Sequence, residues 1–446
     1  MPLKRELGLG AAIAVVCGES IALGIFLTPA TMAKSLGSPM LLLSVWFAMA
    51  LMAGAGALCY SELAVSFPEA GGLYIYLHHF YGERTAFLYG WMSMAVMDSG
   101  VAAALAVGAA AYVGTLLPWV AGYPVVTAAL LLIVLAAANC TGTRIGASFM
   151  TALNWLKLIL IAILIVWAFA SHRGSMANLL PFSLRHSGSD VLMAGAAGAF
   201  INAFFSYGGW WDVTKLAGEI REPRKNLPRA MLLGLLAVTL VYAGLSTAFL
   251  YVVPLRQVTS NQAFVAQFGQ ALFGHAGAIV LSICVLISVI GGLAALTMAA
   301  PRVYYAMAQD GEFFAPFARL HRRFNSPANA ILLQLVCSLV ILELGAFDKI
   351  ISYIIFSAVI FLAMAAAAVF RLQEARRASW YPAAPLLFIA CCGSVALMIL
   401  LRSPLEACLG IGVVLLGYPL YWKLSRSQNR GSDRASDQGQ AQSSAT

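Results

Sequence analysis

The candidate functional residues of this sequence are charged side chains that lie inside long apolar runs. Glu19 interrupts the first run, and Lys157 lies well inside the fifth. Asp98 and Asp212 lie in the third and sixth runs. An ionisable residue in a bilayer core costs about 2.5–3.5 kcal/mol on insertion scales, so it calls for a partner or a function. Such groups can hold a proton, a cation or an oppositely charged solute.

Each of these charges also has a simpler interpretation. Lys157 could extend its stem toward the membrane surface. Lys215 and Glu219 are four residues apart and could pair with each other on one helix, with Asp212 in the same local network. Glu19 has three interpretations: it pairs with Lys157 or a cationic substrate group, it is a proton-coupling site, or it binds the broken backbone for structure.

Two of the apolar runs carry glycines and polar residues at their centres. Residues 18–24 read GESIALG in the first run, and residues 205–211 read FSYGGWW in the sixth. Unwound backbone is tolerated inside a membrane only where it lines a cavity or a site, and half-helix ends there can face charged substrate groups. Gly208 and Gly209 alone could instead serve close helix packing. The corresponding places of the two segments favour an inverted-repeat transporter.

The elements that must hold these residues are membrane-spanning helices. A bilayer core needs about 20 apolar residues per helix, and the sequence supplies about a dozen such runs, longer and more continuous than barrel strands. The first run is longer than a secretory h-region and has no cleavage site, so we expect it to be retained. The predicted spans are residues 9–33, 39–66, 85–117, 122–140, 147–170, 191–218, 230–253, 276–307, 328–344, 350–370, 382–401 and 404–422.

Composition and charge agree with a multi-pass membrane protein. The 446 residues are 61% hydrophobic and 10% charged, more apolar than a soluble domain can bury. Of the 27 Lys and Arg residues, 19 fall in loops on the side of the amino terminus and six on the other side, which predicts cytoplasmic termini. This bias explains the net charge of +9 without a nucleic acid. The eight cysteines include no CxxC pair, so neither a disulfide framework nor a metal site is predicted.

Other classes of membrane protein are not supported by the sequence. An enzyme would need a constellation such as HExxH or GxSxG, and neither occurs. A primary pump would need the phosphate-binding pattern GxxxxGK[ST], which does not occur either. A channel would need a filter or a charged ring, and nothing repeats in that way. Energy for movement of a solute must then come from gradients or from exchange.

Six short stretches give the sequence a family resemblance. They are GIFLTP from Gly24, FPEAGGLYIYL from Phe67, YGERTAFLYGW from Tyr81, FSYGGW from Phe205, REPRKNLPRA from Arg221 and RVYYAMAQDG from Arg302. In this order they resemble the amino acid-polyamine-organocation superfamily, in particular its L-type amino acid transporter branch and bacterial amino acid permeases. The similarity covers helices one to ten nearly continuously.

The resemblance implies an architecture and an activity. The fold would be an all-α integral membrane protein of about 12 helices, a five-plus-five inverted repeat (LeuT-like) with two extra helices and with helices 1 and 6 broken. Residues 1–424 would form one transporter domain, with repeats at about 9–170 and 191–371, extra helices at about 382–422 and a disordered cytoplasmic tail at 425–446. The protein would be a secondary active amino acid transporter, sodium-independent, that works by exchange or proton coupling.

The resemblance assigns the substrate site to the two breaks. Amides of the first break would bind a substrate carboxylate, carbonyls of the second its ammonium, and the Phe205 side chain would cover the substrate, unless it is a packed core aromatic. The implied substrate-binding residues are Ile21, Ala22, Leu23, Gly24, Phe205, Ser206, Tyr207 and Gly208. Lys157 matches a fifth-helix lysine of relatives that do not use sodium, where the ammonium takes the place of a coupling ion. Glu19, Lys157 and Asp212 are the implied coupling or gating residues, and no catalytic residue is expected.

Two positions depart from the family pattern. Residues 22–24 read Ala-Leu-Gly where the family usually has Gly-Ser-Gly, which keeps the amides but removes a hydroxyl and one flexible glycine. Glu19 stands where relatives generally have a small or hydroxyl residue. Together with Asp98 and Asp212, it keeps a polyamine or cationic amino acid transporter as the alternative function. A transporter-like amino acid sensor without flux is the other alternative.

A small-molecule substrate and the lipid bilayer are the expected partners. In the eukaryotic branch a cysteine after the third helix tethers a glycoprotein subunit, but residues 117–123 read LPWVAGY, so no such partner is expected. No cofactor is expected. Metal binding at His78 and His79 is not predicted, because no cysteine or carboxylate is suitably spaced around them. We expect a plasma-membrane protein, in a bacterial inner membrane, with both termini cytoplasmic.

Overall fold

The apolar runs fold into helices, because a bilayer core offers no water to backbone N–H and C=O groups. A computed structural model of the protein describes residues 3–22, 24–180, 189–257, 261–345 and 347–424. The α-helices are α1 (Leu9–Ser20), α2 (Gly24–Leu27), α3 (Pro29–Leu36), α4 (Pro39–Ser66), α5 (Leu73–Tyr81), α6 (Glu83–Met92), α7 (Asp98–Leu116), α8 (Pro124–Cys140), α9 (Thr143–Ala170), α10 (Ser189–Tyr207), α11 (Pro223–Val252), α12 (Asn261–Phe273), α13 (Gly277–Ala299), α14 (Pro301–Gln309), α15 (Ala328–Leu344), α16 (Phe347–Ala368), α17 (Ala383–Arg402) and α18 (Pro404–Leu415).

The described helices confirm an all-helical membrane protein. Seven of them, some continuous across two labels, are long and apolar enough to cross a bilayer, and shorter apolar helices accompany them. The described part of the chain has no strand; its only β-type contact is a single parallel bridge between Leu7 and Ile220. The predicted disordered tail at 425–446 lies outside the described residues.

Helix 1 and helix 6 are broken at the glycines and polar residues from which the two breaks were predicted. The first run divides into α1, which ends at Ser20, and α2, which begins at Gly24. The sixth run is helical to Tyr207 and then continues as a 3-10 helix at Trp210–Glu219. Gly209 joins the two parts with φ at +96°, a backbone conformation that favours glycine.

One helix and one local distortion of the described chain were not predicted from the sequence. α12 was not predicted, since its stretch is short and carries several polar residues. Between α6 and α7 the chain forms a π-helix at Ser93–Met97, in which backbone groups pair five residues apart instead of four. This distortion lies directly before Asp98.

The broken first helix lies at the centre of the packing. α1 packs against α9, α11 and α13, and also against the 3-10 helix after the second break. The side chains of its middle and end, from Ala14 to Gly18, are buried. The site described below is therefore enclosed by helices that are far apart in sequence.

Candidate functional site

Lys157 binds the backbone of the first break. Its Nζ donates to the carbonyl oxygens of Cys17 at 3.1 Å, Gly18 at 3.1 Å and Ile21 at 2.7 Å. The side chain is fully buried. The Cys17 carbonyl also accepts from Ile21 N–H, whereas the carbonyls of Gly18 and Ile21 lack helical partners because helix 1 stops at Ser20. A positive charge and a set of carbonyl acceptors therefore satisfy one another inside the membrane, which contradicts a lysine that extends to the surface.

Two hydroxyl groups complete the lining of this break. Ser288 on α13 donates to the Ile21 carbonyl at 2.9 Å. Tyr242 on α11 lies within hydrogen-bonding distance of two carbonyls, that of Ser20 at 2.5 Å and that of Ser206 at 2.6 Å. Tyr242 thus contacts the first and the sixth helix at their breaks with one side chain.

The two breaks also touch directly. A Cβ added at Gly24 would lie 2.8 Å from Ser206 Oγ and 3.0 Å from Ser206 Cα, so no larger residue fits without a shift. The hydroxyls of Thr28 and Ser206 are 3.1 Å apart. The implied substrate residues Gly24 and Ser206 are therefore brought together.

The other implied substrate residues lie around this contact. Ala22 and Tyr207 are buried, and Phe205 and Gly208 are partly buried. The Tyr207 hydroxyl faces away from the breaks, toward the Trp46 carbonyl at 3.2 Å. Leu23 lies outside the described residues. The predicted roles for these residues toward a substrate stay predictions.

One amide of the predicted carboxylate site is already occupied. Ile21 N–H donates to the Cys17 carbonyl at 2.9 Å, which is the bond that ends α1. In this conformation Ile21 does not offer the donor expected of it, whereas its carbonyl binds Lys157. The Phe205 carbonyl is likewise engaged, since it accepts from Gly208 N–H at 3.1 Å.

A cluster of acids surrounds a second buried lysine. Lys215 Nζ lies 2.9 Å from Asp98 Oδ2 and 2.9 Å from Asp212 Oδ1, and the three side chains are almost completely buried. Ser93 donates to Asp98 Oδ2 at 2.5 Å. Because Ser93–Met97 is a π-helix, residues five apart lie on one face, which aligns Ser93 with Asp98. Asp98 and Asp212 are therefore both members of one ionic cluster.

The predicted pairing of Lys215 with Glu219 is wrong. Their segment is a 3-10 helix, in which residues three apart lie on one face and residues four apart do not. Asp212 and Lys215 are consequently neighbours, and Glu219 instead binds Arg302, with Nε 2.6 Å from Oε1. The prediction assumed an α-helix.

Glu19 contacts the acid cluster and not Lys157. In the described part of the chain no oxygen of Glu19 lies within 4.0 Å of Lys157 Nζ. The carboxyl group lies beside that of Asp212, and its Oε1 has no hydrogen-bond partner among the described residues. A Cβ added at Gly209 would lie 2.6 Å from Glu19 Cβ, so the second glycine of the sixth break makes room for this side chain.

A second cluster with titratable groups lies away from the breaks. His78, Glu83 and Glu312 each offer an atom, and these atoms lie within 4.8 Å of one another. Burial and the neighbouring Glu83 raise the pKa of the Glu312 carboxyl to about 7. The expectation that no carboxylate is suitably spaced around His78 was therefore wrong: Glu83 follows it closely at the start of α6, and Glu312 comes from a distant part of the sequence. His79 points elsewhere and packs edge-on against Phe67.

Comparison with known proteins shows what kind of molecule carries this site. A family model described as amino acid permease matches residues 7–407. The serine/threonine exchanger SteT of Bacillus subtilis (strain 168) is 30% identical over 437 residues, which cover 95% of this chain and 98% of SteT. The human large neutral amino acids transporter small subunit 2 is 27% identical, over 94% of this chain and 80% of its own. The human b(0,+)-type amino acid transporter 1 is 27% identical, over 80% of this chain and 74% of its own length.

These relatives are transporters and not enzymes, and the family model spans both broken helices and the lysine between them. The chain is thus a multi-pass membrane protein that belongs to the amino acid permease family, in the amino acid-polyamine-organocation superfamily.

Proposed function

We propose that this protein is a sodium-independent amino acid exchanger of a plasma membrane, with the substrate bound between the two helix breaks. The observation that carries the proposal is the position of Lys157. Its ammonium is held by three backbone carbonyls at the first break, and two of these, of Gly18 and Ile21, have lost their helical partners there. A bound Na⁺ would need the same kind of oxygen ligands, and a covalently attached cation removes that need.

The breaks supply both kinds of group that an amino acid requires. α2 begins at Gly24, and Ala22 lies just before it. The amino end of a helix favours a carboxylate. The carbonyl end of α10, at Phe205 to Tyr207, favours an ammonium group. Ser206 adds a hydroxyl at the contact with Gly24. The relatives support an amino acid substrate and exchange, since one is a serine/threonine exchanger and another is a transporter subunit for large neutral amino acids.

Transport in proteoliposomes tests the proposal. Uptake of a radiolabelled amino acid panel, with serine and threonine included, should require amino acid inside the vesicles and should be equal in Na⁺ and choline buffers. Uptake that needs a Na⁺ gradient would contradict the assignment of Lys157. Specific binding without flux under every gradient would instead favour a transporter-like sensor.

Substitution of Lys157 provides the sharper test. Lys157→Gln leaves buried carbonyls without a charged donor, each at a cost of about 1–3 kcal/mol, so we expect exchange to fall by about tenfold or more. Lys34→Gln is the matched control, since Lys34 is exposed on α3. Full activity of Lys157→Gln in a folded protein would remove the basis of the proposal.

The contact between Glu19 and Asp212 supports proton coupling as a second candidate. Two neighbouring carboxyl groups inside a membrane favour a shared proton, because two ionised groups there would repel strongly. Asp98 adds a third acid, while Lys215 is the single cation in direct contact with Asp98 and Asp212 among the described residues. A polyamine or a cationic amino acid would fit the same excess of acid.

Glu19→Gln separates these candidates. If Glu19 carries the proton or a cationic group, the variant should lose acceleration by an inward pH gradient, or lose uptake of lysine, agmatine and putrescine. Glu69→Gln is the control, since Glu69 is exposed. Transport unchanged in Glu19→Gln would leave Glu19 with a structural role. We further propose cytoplasmic termini and no disulfide-linked subunit, from the basic loops and from the absence of cysteine in residues 117–123.

A further inference from the structure

Three side chains from separate segments meet on the face that the basic loops predict to be cytoplasmic. His78 lies in the last turn of α5, Glu83 begins α6, and Glu312 follows the end of α14. One nitrogen of His78 and one oxygen from each glutamate lie within 4.8 Å of one another. The three are thus gathered around one point although Glu312 is far from the others in sequence.

The carboxyl group of Glu312 lacks a counter-ion. The residue is 9% exposed, and in the described ranges no Lys, Arg or His nitrogen lies within 4.0 Å of it. The Glu83 carboxyl group lies beside it, with one oxygen from each glutamate within 4.8 Å. A buried carboxyl group next to a second carboxyl group favours a proton or a cation between them.

Tyr74 provides a second and independent observation. Its side chain is fully buried, and its hydroxyl makes no hydrogen bond. The carboxyl groups of Asp310, Glu312 and Glu83 are its charged neighbours. Its ring also packs against His78, with ring centroids 5.9 Å apart. A buried polar group without a partner therefore points into the cluster.

We propose that His78, Glu83 and Glu312 bind a divalent first-row transition metal ion at the cytoplasmic face of the transporter. One imidazole nitrogen with two carboxylates is a donor set that suits Zn²⁺ or Mn²⁺, whereas Ca²⁺ and Mg²⁺ prefer oxygen ligands alone. Zn–N and Zn–O bonds of about 2.0–2.2 Å place ligand atoms about 3–4 Å apart. Ligand atoms within 4.8 Å of one another reach this spacing by small side-chain rotations.

Further ligands are close to this position. Asp310 is two residues before Glu312 and, like it, faces the Tyr74 hydroxyl. A water molecule or Asp310 can occupy the remaining coordination position. Three ligands from three segments hold a metal better than a pair from one helix, since the folded chain preorganises them.

A metal ion here would restrain the path between the cytoplasm and the breaks. The turn before α5 is attached to the 3-10 helix after the sixth break, since Gly71 N–H donates to the Lys215 carbonyl at 3.0 Å. Gly72 packs so closely on Thr214 and Lys215 that no Cβ fits. A metal that ties α5 to α6 and to the turn after α14 fixes this assembly in one arrangement. This consequence rests on the proposed transport function; binding itself does not.

Binding is tested first on the purified full-length protein, without reference to transport. Co²⁺ serves as a spectroscopic probe, because coordination by protein ligands produces visible absorption bands, and Zn²⁺ is then added in competition. We expect one tight site per chain, and His78→Ala and Glu312→Gln should each weaken Co²⁺ and Zn²⁺ binding by at least about tenfold. Glu83→Gln repeats the test at an exposed residue, where misfolding is not expected.

His79→Ala is the matched control, since His79 is the next residue and does not join the cluster. It should retain wild-type affinity. Equal loss in His78→Ala and His79→Ala, or no protein-dependent Co²⁺ bands at neutral pH, would overturn the proposal and leave a proton shared by the two glutamates.

The transport measurement is made separately. Zn²⁺ on the predicted cytoplasmic side of proteoliposomes should slow exchange by wild type and by His79→Ala, but not by His78→Ala. Tight binding without any effect on exchange would overturn the restraint and keep the site. Absence of exchange in every sample would contradict the proposed function and leave the metal-binding result standing.

Discussion

The ammonium of Lys157 and the broken end of α1 depend on each other. A lysine inside a bilayer costs about 2.5–3.5 kcal/mol on insertion scales, and unpaired carbonyls in the same place are costly as well. The three hydrogen bonds from Nζ to the carbonyls of residues 17, 18 and 21 remove both penalties. Neither feature is stable in the membrane without the other.

Gly209 is the glycine with the strictest requirement near the site. Its φ of +96° disfavours any residue with a side chain by about 1–2 kcal/mol, and a Cβ would lie 2.6 Å from Glu19 Cβ. We expect Gly209→Ala to lower the melting temperature of the purified protein and to reduce exchange several-fold, because Glu19 must move. Gly393→Ala is the control, since nothing lies within 4 Å of a Cβ there. A Gly209→Ala protein with wild-type melting and exchange would show that the contact is not needed.

At the level of residues, the sequence predicted which side chains matter better than it predicted their partners. Glu19, Lys157, Asp98 and Asp212 stand out because charge is rare in apolar runs, and all four do lie at or beside the breaks. Their partners depend on backbone geometry and on helices far away in sequence. Lys157 binds carbonyls, which every residue has, so no residue type in the sequence could indicate them.

Tyr242 joins two elements, the broken helices 1 and 6. Its hydroxyl reaches the carbonyls of Ser20 and Ser206 from α11. Interhelical hydrogen bonds in membranes contribute about 0.6 kcal/mol on average, so we expect Tyr242→Phe to lower the free energy of unfolding by about 1 kcal/mol. Exchange should fall as well, since the relative position of the breaks is loosened.

Tyr89→Phe is the control for that experiment. Tyr89 is also fully buried, but its hydroxyl makes no hydrogen bond. Its removal should leave the melting temperature unchanged or slightly higher. Equal effects of the two substitutions would mean that the hydroxyl of Tyr242 does not connect the breaks.

At the level of elements, the breaks were predictable and the shape after them was not. Glycine and polar residues at the centre of an apolar run are costly unless the helix stops, so residues 18–24 and 205–211 indicated both breaks. The 3-10 helix at Trp210–Glu219 and the π-helix at Ser93–Met97 leave no comparable trace in the sequence. Both are held by tertiary contacts, the ionic cluster of Asp98, Asp212 and Lys215 among them.

The ion pair of Arg302 with Glu219 connects two distant segments of the predicted second repeat. Both side chains are buried, and the pair links the segment after the sixth break to α14. Removal of one partner from a buried pair typically costs about 3–5 kcal/mol, because the other charge is left buried alone. We therefore expect Arg302→Gln to lower the melting temperature strongly, and Glu219→Gln together with Arg302→Gln to recover part of that loss.

Lys225 and Glu222 form the comparison pair, since they too are in contact, at 2.9 Å, but both are exposed. Water screens such a pair, so Glu222→Gln should leave the melting temperature unchanged. A double Glu219→Gln and Arg302→Gln protein that is less stable than either single variant would contradict the interpretation of an isolated buried pair.

At the level of the whole molecule, the helical membrane architecture followed from composition, but the distant contacts did not. Leu7 bonds to the chain beside Ile220, and His78 meets Glu312. Spacing along a sequence cannot reveal pairs that are brought together only when many helices pack. The proposed metal site was missed for this reason.

The carbonyls that hold Lys157 belong to residues 17–21, which are synthesised long before it. When the ribosome delivers the fifth helix to the membrane, its acceptors are therefore already there, so the charge can be neutralised on arrival. The contact of Leu7 with Ile220 differs, because Ile220 is synthesised only after α1 to α10. The lysine thus meets its acceptors before the amino-terminal segment is attached, and a rearranged chain that makes the first helix last would have to insert Lys157 without them.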